Sequence, residues 1–338
     1  MHILSIVGAR PNFMKIAPIA WEAGRRKHLR HTIIHTGQHY DEAMSHSFFE
    51  TLDIPRPDVN LGIGSFSHGV QTGKIMMGVE PVFQELKPDW VITVGDVNST
   101  AAASLVAVKL GIRCAHVEAG LRSFDRTMPE EINRLVTDAI CDLLLVTEQA
   151  ALDNLKHEGI PDSKVVFTGN VMIDSLVHNL PRARELAKAK ELGLQEGDYI
   201  LVTMHRPSNV DDPAKLEEMT DTLVEISRRC PVFFPVHPRT RNNLEAAGLW
   251  ARLEEAPGMM TTGPLDYLSF ISLVTSAKAL LTDSGGIQEE TTYLGLPCLT
   301  MRPNTERPST IDLGTNELVE PAREPILEAI DRLLDGKW

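Results

Sequence analysis

Three acidic residues stand where a carboxylate can move a proton: Asp96, Glu118 and Glu131. Asp96 follows the apolar run Trp90-Val-Ile-Thr-Val-Gly95, Glu118 follows Ile112-Arg-Cys-Ala-His-Val117, and Glu131 lies just inside a helix that Pro129 is well placed to open. If the two runs are parallel strands, Asp96 and Glu118 project at one sheet edge. Clustered acids there can hold different protonation states and divide acid and base roles. Each also has a plainer reading. Asp96 could cap a helix, and Glu130 and Glu131 could be first-turn acids that complement a helix dipole. Singly the plainer reading is favoured; three acids at one edge favour the functional one.

A second kind of chemistry is written in Thr282-Asp-Ser-Gly-Gly-Ile-Gln-Glu-Glu290. An apolar run leads into this stretch and a helical pattern leads out. Ser284 can cap the helix, and Gly285 and Gly286 let a ligand approach the backbone. Free N–H groups and the helix dipole favour an anion such as phosphate. Glu290, one turn in, could accept hydrogen bonds from sugar hydroxyls. A capped strand–helix turn in any α/β protein reads the same way. Candidate cations are Arg10 and Lys15, in Gly8-Ala-Arg-Pro-Asn-Phe-Met-Lys15, and Arg302 and Arg307, in a Pro-bounded loop after a strand. Ordinary surface residues are the alternative for the first pair. His205 and His237 each end a strand, where hydrogen bonding to an anionic ligand suits them. They lack short metal-ligand spacing, so no metal is expected.

The elements that must position these groups are short apolar runs alternating with amphipathic stretches. Strands are expected at 2–7, 31–36, 90–95, 112–117, 142–147 and 164–168, then at 199–204, 231–236, 259–262, 278–283 and 297–301. Helices fill 12–27, 67–86, 98–110, 129–140 and 148–158, then 213–228, 240–254, 265–276, 286–294 and 322–334. This pattern means parallel strands in doubly wound sheets. The charged, mostly helical segment 170–197 reads as the connection between two Rossmann-like domains, 1–169 and 170–338. The layout of Trp90 to Thr100 is echoed by Lys278 to Ser284, as two similar domains would require, with ligands at the carboxyl ends of the strands. The turn after the first strand lacks G-x-G-x-x-G, which argues against tightly bound NAD.

The bulk properties narrow the partners. The chain of 338 residues carries a net charge of −13, against nucleic acid and anionic membrane surfaces. A phosphate site must then be a local concentration of positive charge. No apolar run approaches the ~20 residues of a membrane span. The N-terminus, without a basic region, reads as a first strand and not as a signal peptide. Cys114, Cys141, Cys230 and Cys298 show no metal or redox spacing and read as core thiols of a cytosolic protein.

Together the motifs resemble the non-hydrolysing UDP-N-acetylglucosamine 2-epimerases. The matching pieces are Gly8-Ala-Arg-Pro11, Thr36-Gly-Gln-His39, Gly95-Asp-Val-Asn-Ser-Thr100, His116-Val-Glu-Ala-Gly-Leu-Arg122, Pro129-Glu-Glu-Ile-Asn-Arg134, Thr168-Gly-Asn170, His205-Arg206, Thr282 to Glu290 and Thr305-Glu-Arg-Pro308. Their order and spacing hold over essentially the whole chain. The resemblance implies a GT-B-like pair of Rossmann-like domains facing each other across a cleft. It implies reversible inversion at C2 of a UDP-sugar, without NAD or metal, in a cytoplasmic homodimer serving polysaccharide biosynthesis. Carried over, the first domain bears the catalytic carboxylates Asp96, Glu118 and Glu131, and the second binds UDP. Ser284, Gly285 and Gly286 hold the diphosphate, Glu290 the ribose hydroxyls, and Phe270 part of the uracil pocket. Arg10, Lys15, His205, His237 and Arg307 surround the phosphates and sugar, with His205 also counted in the catalytic set.

Two departures from the family pattern bear on regulation and length. Many members bind a second substrate molecule as activator, through residues near Thr-Gly-Gln-His and a second Arg after His205-Arg206. Here Tyr40-Asp41-Glu42 and Pro207 occupy those places, so the resemblance does not carry that activation over. Relatives usually continue past the position of Trp338 with a segment returning to the first domain. Among substrates, UDP-GlcNAc comes first, and a UDP-2,3-diacetamido-uronic acid is the alternative, which Tyr40-Asp41 and Met44-Ser45 do not exclude. A GT-B glycosyltransferase would share the UDP site but need an acceptor pocket, and the three carboxylates on the first domain favour the epimerase over it; a non-catalytic nucleotide-sugar sensor is a third class.

Overall fold

The structure, a computed structural model, describes residues 1–37, 49 and 53–338, and only the backbone of Arg10. The motif positions Gln38, His39, Tyr40, Asp41, Glu42, Met44 and Ser45 lie outside the described residues. The chain forms two compact units, Met1–Leu176 and Val177–Trp338.

The first unit is built on a sheet of β1 (His2–Val7), β2 (Arg30–His35), β3 (Val59–Asn60), β4 (Trp90–Val94), β5 (Arg113–Ala119), β6 (Leu143–Val146) and β7 (Val165–Phe167). Its order is β3-β2-β1-β4-β5-β6-β7, with every pairing parallel. The second unit holds β8 (Ile200–Thr203), β9 (Val232–Pro235), β10 (Met259–Thr262), β11 (Ala279–Thr282), β12 (Cys298–Met301) and β13 (Asn316–Val319), in the parallel order β10-β9-β8-β11-β12-β13. Both sheets run outward in two directions from a central pair, β1/β4 and β8/β11. That pair is the topological switch point at which open α/β sheets bind ligands. The echo between β4 and β11 is therefore topological: each is the strand laid down just after the reversal. The fold is α/β with two Rossmann-like domains.

Alternation with period two sends successive strand residues to opposite faces, and here both faces are covered. In the second unit Ile200, Val202, Val232 and Phe234 pack into one core with Leu223, Ile326 and Ile330. Tyr199, Leu201 and Phe233 face the other, with Leu273 and Ile287. In the first unit Leu4, Ile6, Val91 and Leu144 pack with Ile75, Val79, Phe83 and Val106 from the helices His68–Leu86 and Asn98–Lys109. All four cysteines are buried free thiols. Among the described residues no helix is long and apolar enough to cross a membrane.

The expected helix over 240–254 is two, Pro238–Ala246 and Trp250–Glu254, because Gly248 turns the chain with φ +69°. The expected strand 112–117 runs on to Ala119, through a bulge at Glu118. Gly120 follows with φ +83°, and a Cβ there would stand 2.5 Å from the Ala151 carbonyl oxygen. Gly120→Ala therefore adds both strain and a backbone clash. A cost of at least about 2 kcal/mol is expected, read as a melting midpoint lower by roughly 4–8 °C. An unchanged midpoint would show that the turn relaxes freely.

Candidate active site

In the first unit the carboxyl ends of β1, β4 and β5 carry the acidic cluster. The turn after β1 is tied by Asn12, whose Oδ1 accepts from the Gly8 and Ala9 N–H groups at 3.1 and 2.9 Å and whose amide donates to the Val94 carbonyl at 3.3 Å. This joins β1 to β4 and sets the helix Arg10–Arg25, which delivers Lys15. Lys15 forms an ion pair with Glu118, and both are nearly buried. Glu118 has φ +72°, a left-handed conformation costly for a residue with a side chain, and it sits where the β5–β6 register slips between Val117 and Ala119. The bulge turns Glu118 out of the strand's alternation.

Asp96 does not cap the following helix. The cap position is Val97, and no side chain caps it. The Asp96 carboxylate instead accepts from Arg134 Nη1 at 2.6 Å, with the Asp96 side chain one-third exposed. The same guanidinium donates to Glu131 at 2.7 and 3.0 Å. Glu131 also accepts from the Ser123 N–H and hydroxyl at 3.0 and 3.1 Å and the Phe124 N–H at 3.0 Å. Burial opposes charge on Glu131, but the Ser123 N–H and the Arg134 guanidinium outweigh it and hold its carboxyl below the usual range. The three acids thus share one edge in different states: Glu118 against an ammonium, Asp96 partly open, and Glu131 saturated with donors.

In the second unit the chemistry gathers at the β8/β11 switch point, where Thr203 and Thr282 hydroxyls meet at 2.6 Å. Asp283 is fully buried. It accepts from the His205 and Arg206 N–H groups at 2.9 and 2.8 Å and from the Asn209 amide at 3.2 Å, and it lies 2.9 Å from His205 Nδ1. Burial opposes its charge, but the His205 ring and these N–H groups keep its carboxyl below the usual range. His205, oriented by this contact, presents a partly exposed ring, 5.5 Å from the His237 ring centroid. His237 caps the helix Pro238–Ala246, its Nδ1 accepting from the Arg239 N–H at 3.2 Å. Burial and then the neighbouring His205 lower the His237 pKa. A neutral ring with the proton on Nε2 follows.

Ser284, which could have capped the helix, does not. The helix Ile287–Leu294 has Gly286 at its cap position, with no side-chain partner there, and the Ser284 carbonyl accepts from the Gln288 amide at 3.2 Å. The turn still presents first-turn N–H groups that have no intrahelical acceptor. At Gly285 the approach is close: a Cβ there would stand 2.6 Å from Glu306 Oε1 and that side chain would have to shift, whereas at Gly286 it would meet nothing within 4 Å. Arg302 and Arg307 are buried and paired, with Glu306 and Glu289, both at 2.9 Å. Burial opposes the charge of Glu306, but Arg307 and then Arg302 pull its pKa down to about 2. Thr305 donates to Gln288 at 2.7 Å, which staples this loop to the helix start.

Glu290 is buried and accepts from the Tyr267 hydroxyl at 2.8 Å. Burial raises its pKa to about 7, Tyr267 opposes this, and Glu289 adds to it. The folded protein therefore holds a proton on Glu290 that the unfolded chain releases near pH 4.3. Between there and about 7 the folded state binds more protons, so this group makes stability fall as pH rises. Glu290→Gln should flatten that fall, measured as melting midpoint against pH from 4 to 8. Parallel curves for the two proteins would contradict it.

Asp96, Glu118 and Glu131 are brought together, as are His205, His237 and the Thr282–Glu290 turn. Phe270, within the helix Tyr267–Val274, packs partly buried against the core. The Arg10 side chain lies outside the described residues. Sequence reasoning missed Arg134, Tyr267, Asp283 and Ser123 as working parts. The first and third lay inside quoted motifs, while Tyr267 sits in an apolar helix and reads as core.

Against known proteins, a family model described as UDP-N-acetylglucosamine 2-epimerase matches residues 22–337. The UDP-N-acetylglucosamine 2-epimerase of Methanocaldococcus jannaschii is 41% identical over 342 residues, covering 100% of this chain and 93% of its own. The UDP-2,3-diacetamido-2,3-dideoxy-D-glucuronate 2-epimerase of Pseudomonas aeruginosa is 43% identical, covering 97% and 91%. The crystal structure of the M. jannaschii enzyme in complex with UDP-GlcNAc and UDP superposes with a TM-score of 0.90 at 42% identity, over 99% of this chain and 93% of that one. The chain is an epimerase and belongs to the UDP-N-acetylglucosamine 2-epimerase family.

Proposed function

We propose that this chain interconverts UDP-GlcNAc and UDP-ManNAc by elimination and re-addition of UDP. The carrying observation is the unequal set of carboxylates at the first sheet's edge, Glu118 against Lys15 and Asp96 against Arg134. The C2 proton has no adjacent carbonyl, so direct abstraction is hard. Breaking the C1–O bond sends its electron pair to the departing UDP and acidifies C2–H. A carboxylate takes the proton, and the C2–H pair becomes the C1=C2 bond of a 2-acetamidoglucal. Return of the UDP oxygen to C1 and delivery of a proton to the other face of C2 completes the inversion.

Glu118 suits the base, since its carboxylate is nearly buried beside an ammonium that can hold the proton balance. Asp96, partly exposed and held by one guanidinium contact, suits the second proton carrier. Glu131, with all its donors, serves through Arg134. The second unit holds the leaving group: the Ser284-Gly285-Gly286 turn takes the diphosphate, with His205 and His237 as polar partners, and Glu290 with Tyr267 faces the ribose. Phe270 supplies part of the base pocket. Arg10 joins the phosphate ligands, while Arg307 acts through Glu289 by shaping the turn.

Lys15 and Arg134 are each already matched by carboxylates, which suits a sugar without a charge of its own. The 43% identity to the diacetamido-glucuronate enzyme supports the second reading, a uronate substrate. Incubation with each UDP-sugar, with neither NAD nor metal added, separates them. UDP-ManNAc should appear from UDP-GlcNAc; turnover of the diacetamido sugar alone would replace the first reading by the second.

A cytoplasmic homodimer belongs to the same proposal. Reduced buried thiols fit that compartment. Exposed Val70 and Met77 on the helix His68–Leu86, with Ile132 and Val136 on the helix Pro129–Ile140, supply apolar surface for a second copy. Light scattering on the purified protein should give twice the chain mass, and a monomer at all concentrations would remove the dimer.

A further inference from the structure

Beneath the acidic edge of the first unit lies a charged network that the proposed proton transfers do not use. His116 is fully buried in β5. Its Nδ1 is 2.7 Å from Asp138 Oδ1 and its Nε2 is 2.7 Å from the Gly95 carbonyl oxygen. Both neighbours are acceptors, so each ring nitrogen must carry a proton to satisfy them. Asp138, also fully buried, takes two further donors: Arg122 Nη1 at 2.8 Å and the Gly120 N–H at 3.0 Å. Arg122 spends Nε and Nη2 on Glu158, both at 2.7 Å. Two cations and two carboxylates are thus paired in a closed set.

Besides the Arg122 Nη1 bond to the Leu121 carbonyl at 2.7 Å, the set meets the backbone at two places that bear on the acidic edge. Gly95, held through its carbonyl, immediately precedes Asp96. Gly120, held through its N–H, comes two residues after the bulged Glu118. Both glycines have positive φ, and the bulge between Val117 and Ala119 is itself strained. A strained backbone persists only where its surroundings over-determine it. Asp138 reaches one turn directly and the other through His116, so one buried carboxylate sets the spacing of two side chains 22 residues apart in sequence.

We propose that His116 and Asp138 are positioning residues: a doubly protonated imidazole bridges Asp138 to the Gly95 carbonyl and so fixes Asp96 relative to Glu118. The kinetic part rests on the epimerase reading above. Burial opposes the charge on His116, but the Asp138 carboxylate and the Gly95 carbonyl raise its pKa above the ordinary value, in keeping with this geometry. The neighbouring titratable groups are Cys114, which adds to the rise, Cys141, whose sulfur lies 3.5 Å from that of Cys114, and the Arg122–Glu158 pair.

His116→Gln can donate to Gly95 but offers Asp138 an oxygen, and Asp138→Asn removes the charge that holds the ring. Each should lower kcat by about 10- to 100-fold, since misplacement of reacting groups by an ångström has that effect. KM for UDP-GlcNAc and the affinity for UDP should stay close to wild type. A folded His116→Gln protein with wild-type kcat, or one losing kcat and UDP affinity in equal measure, would overturn the proposal. Should the variants not fold, 15N spectra of the wild-type histidine rings decide it. His116 should show two protonated ring nitrogens at pH 7.5, and a nitrogen with a free lone pair would overturn the bridge. A wild type that turns over no UDP-sugar would instead sink the epimerase reading and leave the ring measurement standing as its own test.

Discussion

Glu118→Gln should abolish exchange at C2 while leaving UDP binding intact. Glutamine keeps the shape that the left-handed bulge holds, with φ +72°, so the backbone has no new reason to move. What is lost is the basic oxygen that would accept the C2 proton, a contribution of about 10²–10⁴-fold in kcat for a positioned general base. Lys15 loses its counter-charge at the same time, which would draw a substrate anion more strongly, so KM should not rise. Isothermal titration with UDP and single-turnover kinetics with UDP-GlcNAc separate the two effects. Full activity would remove Glu118 from the proton path and shift the role to Asp96.

Asp283→Ala should cause the largest loss of stability of any single change at the candidate site. The carboxylate is fully buried and organises the β8/β11 switch point. Its removal strands the His205 and Arg206 N–H groups, leaves the Asn209 amide only the Met301 carbonyl at 3.4 Å, and frees the His205 ring. Breaking a buried charge network of this kind costs about 3–5 kcal/mol, or a melting midpoint lower by roughly 6–20 °C for a unit of this size. UDP affinity should fall with it, because Ser284 follows Asp283 directly and the His205 ring loses its anchor. Asp283→Asn, which keeps the shape and one acceptor, should lie between. Calorimetry that finds wild-type melting in the alanine variant would show that the turn is held elsewhere, for instance by the staple from Thr305 to Gln288 at 2.7 Å.

The strands were legible because a parallel sheet buried on both faces must be apolar at every position, and short runs such as Leu143–Val146 advertise that. Two strands carried no such signal. Val59–Asn60 is two residues long, and Asn316–Val319 begins with Asn-Glu. The helices Pro207–Val210 and Pro308–Asp312 are too short to show a period. At the candidate site, residue types and strand ends disclosed the acids and the glycine turn. Their partners stayed hidden because a carboxylate's partner is chosen by the sheet order, not by spacing. Arg134 is 38 residues from Asp96, and Lys15 reaches Glu118 across β4. The bulge at Glu118 gave no warning, since left-handed backbone is signalled by glycine and no glycine stands there. Ser284 misled for the opposite reason. A serine before a helical pattern reads as a cap, but the helix Ile287–Leu294 has Gly286 at its cap position, two residues beyond Ser284.

The most direct test of the central claim is proton NMR of the enzyme with UDP-GlcNAc in D2O. Elimination and re-addition, with a carboxylate exchanging its proton with solvent, predicts that UDP-ManNAc appears with deuterium at C2 and that UDP-GlcNAc gains deuterium at the same carbon. UDP-ManNAc that retains the original C2 proton, or no change in UDP-GlcNAc at all, would contradict it.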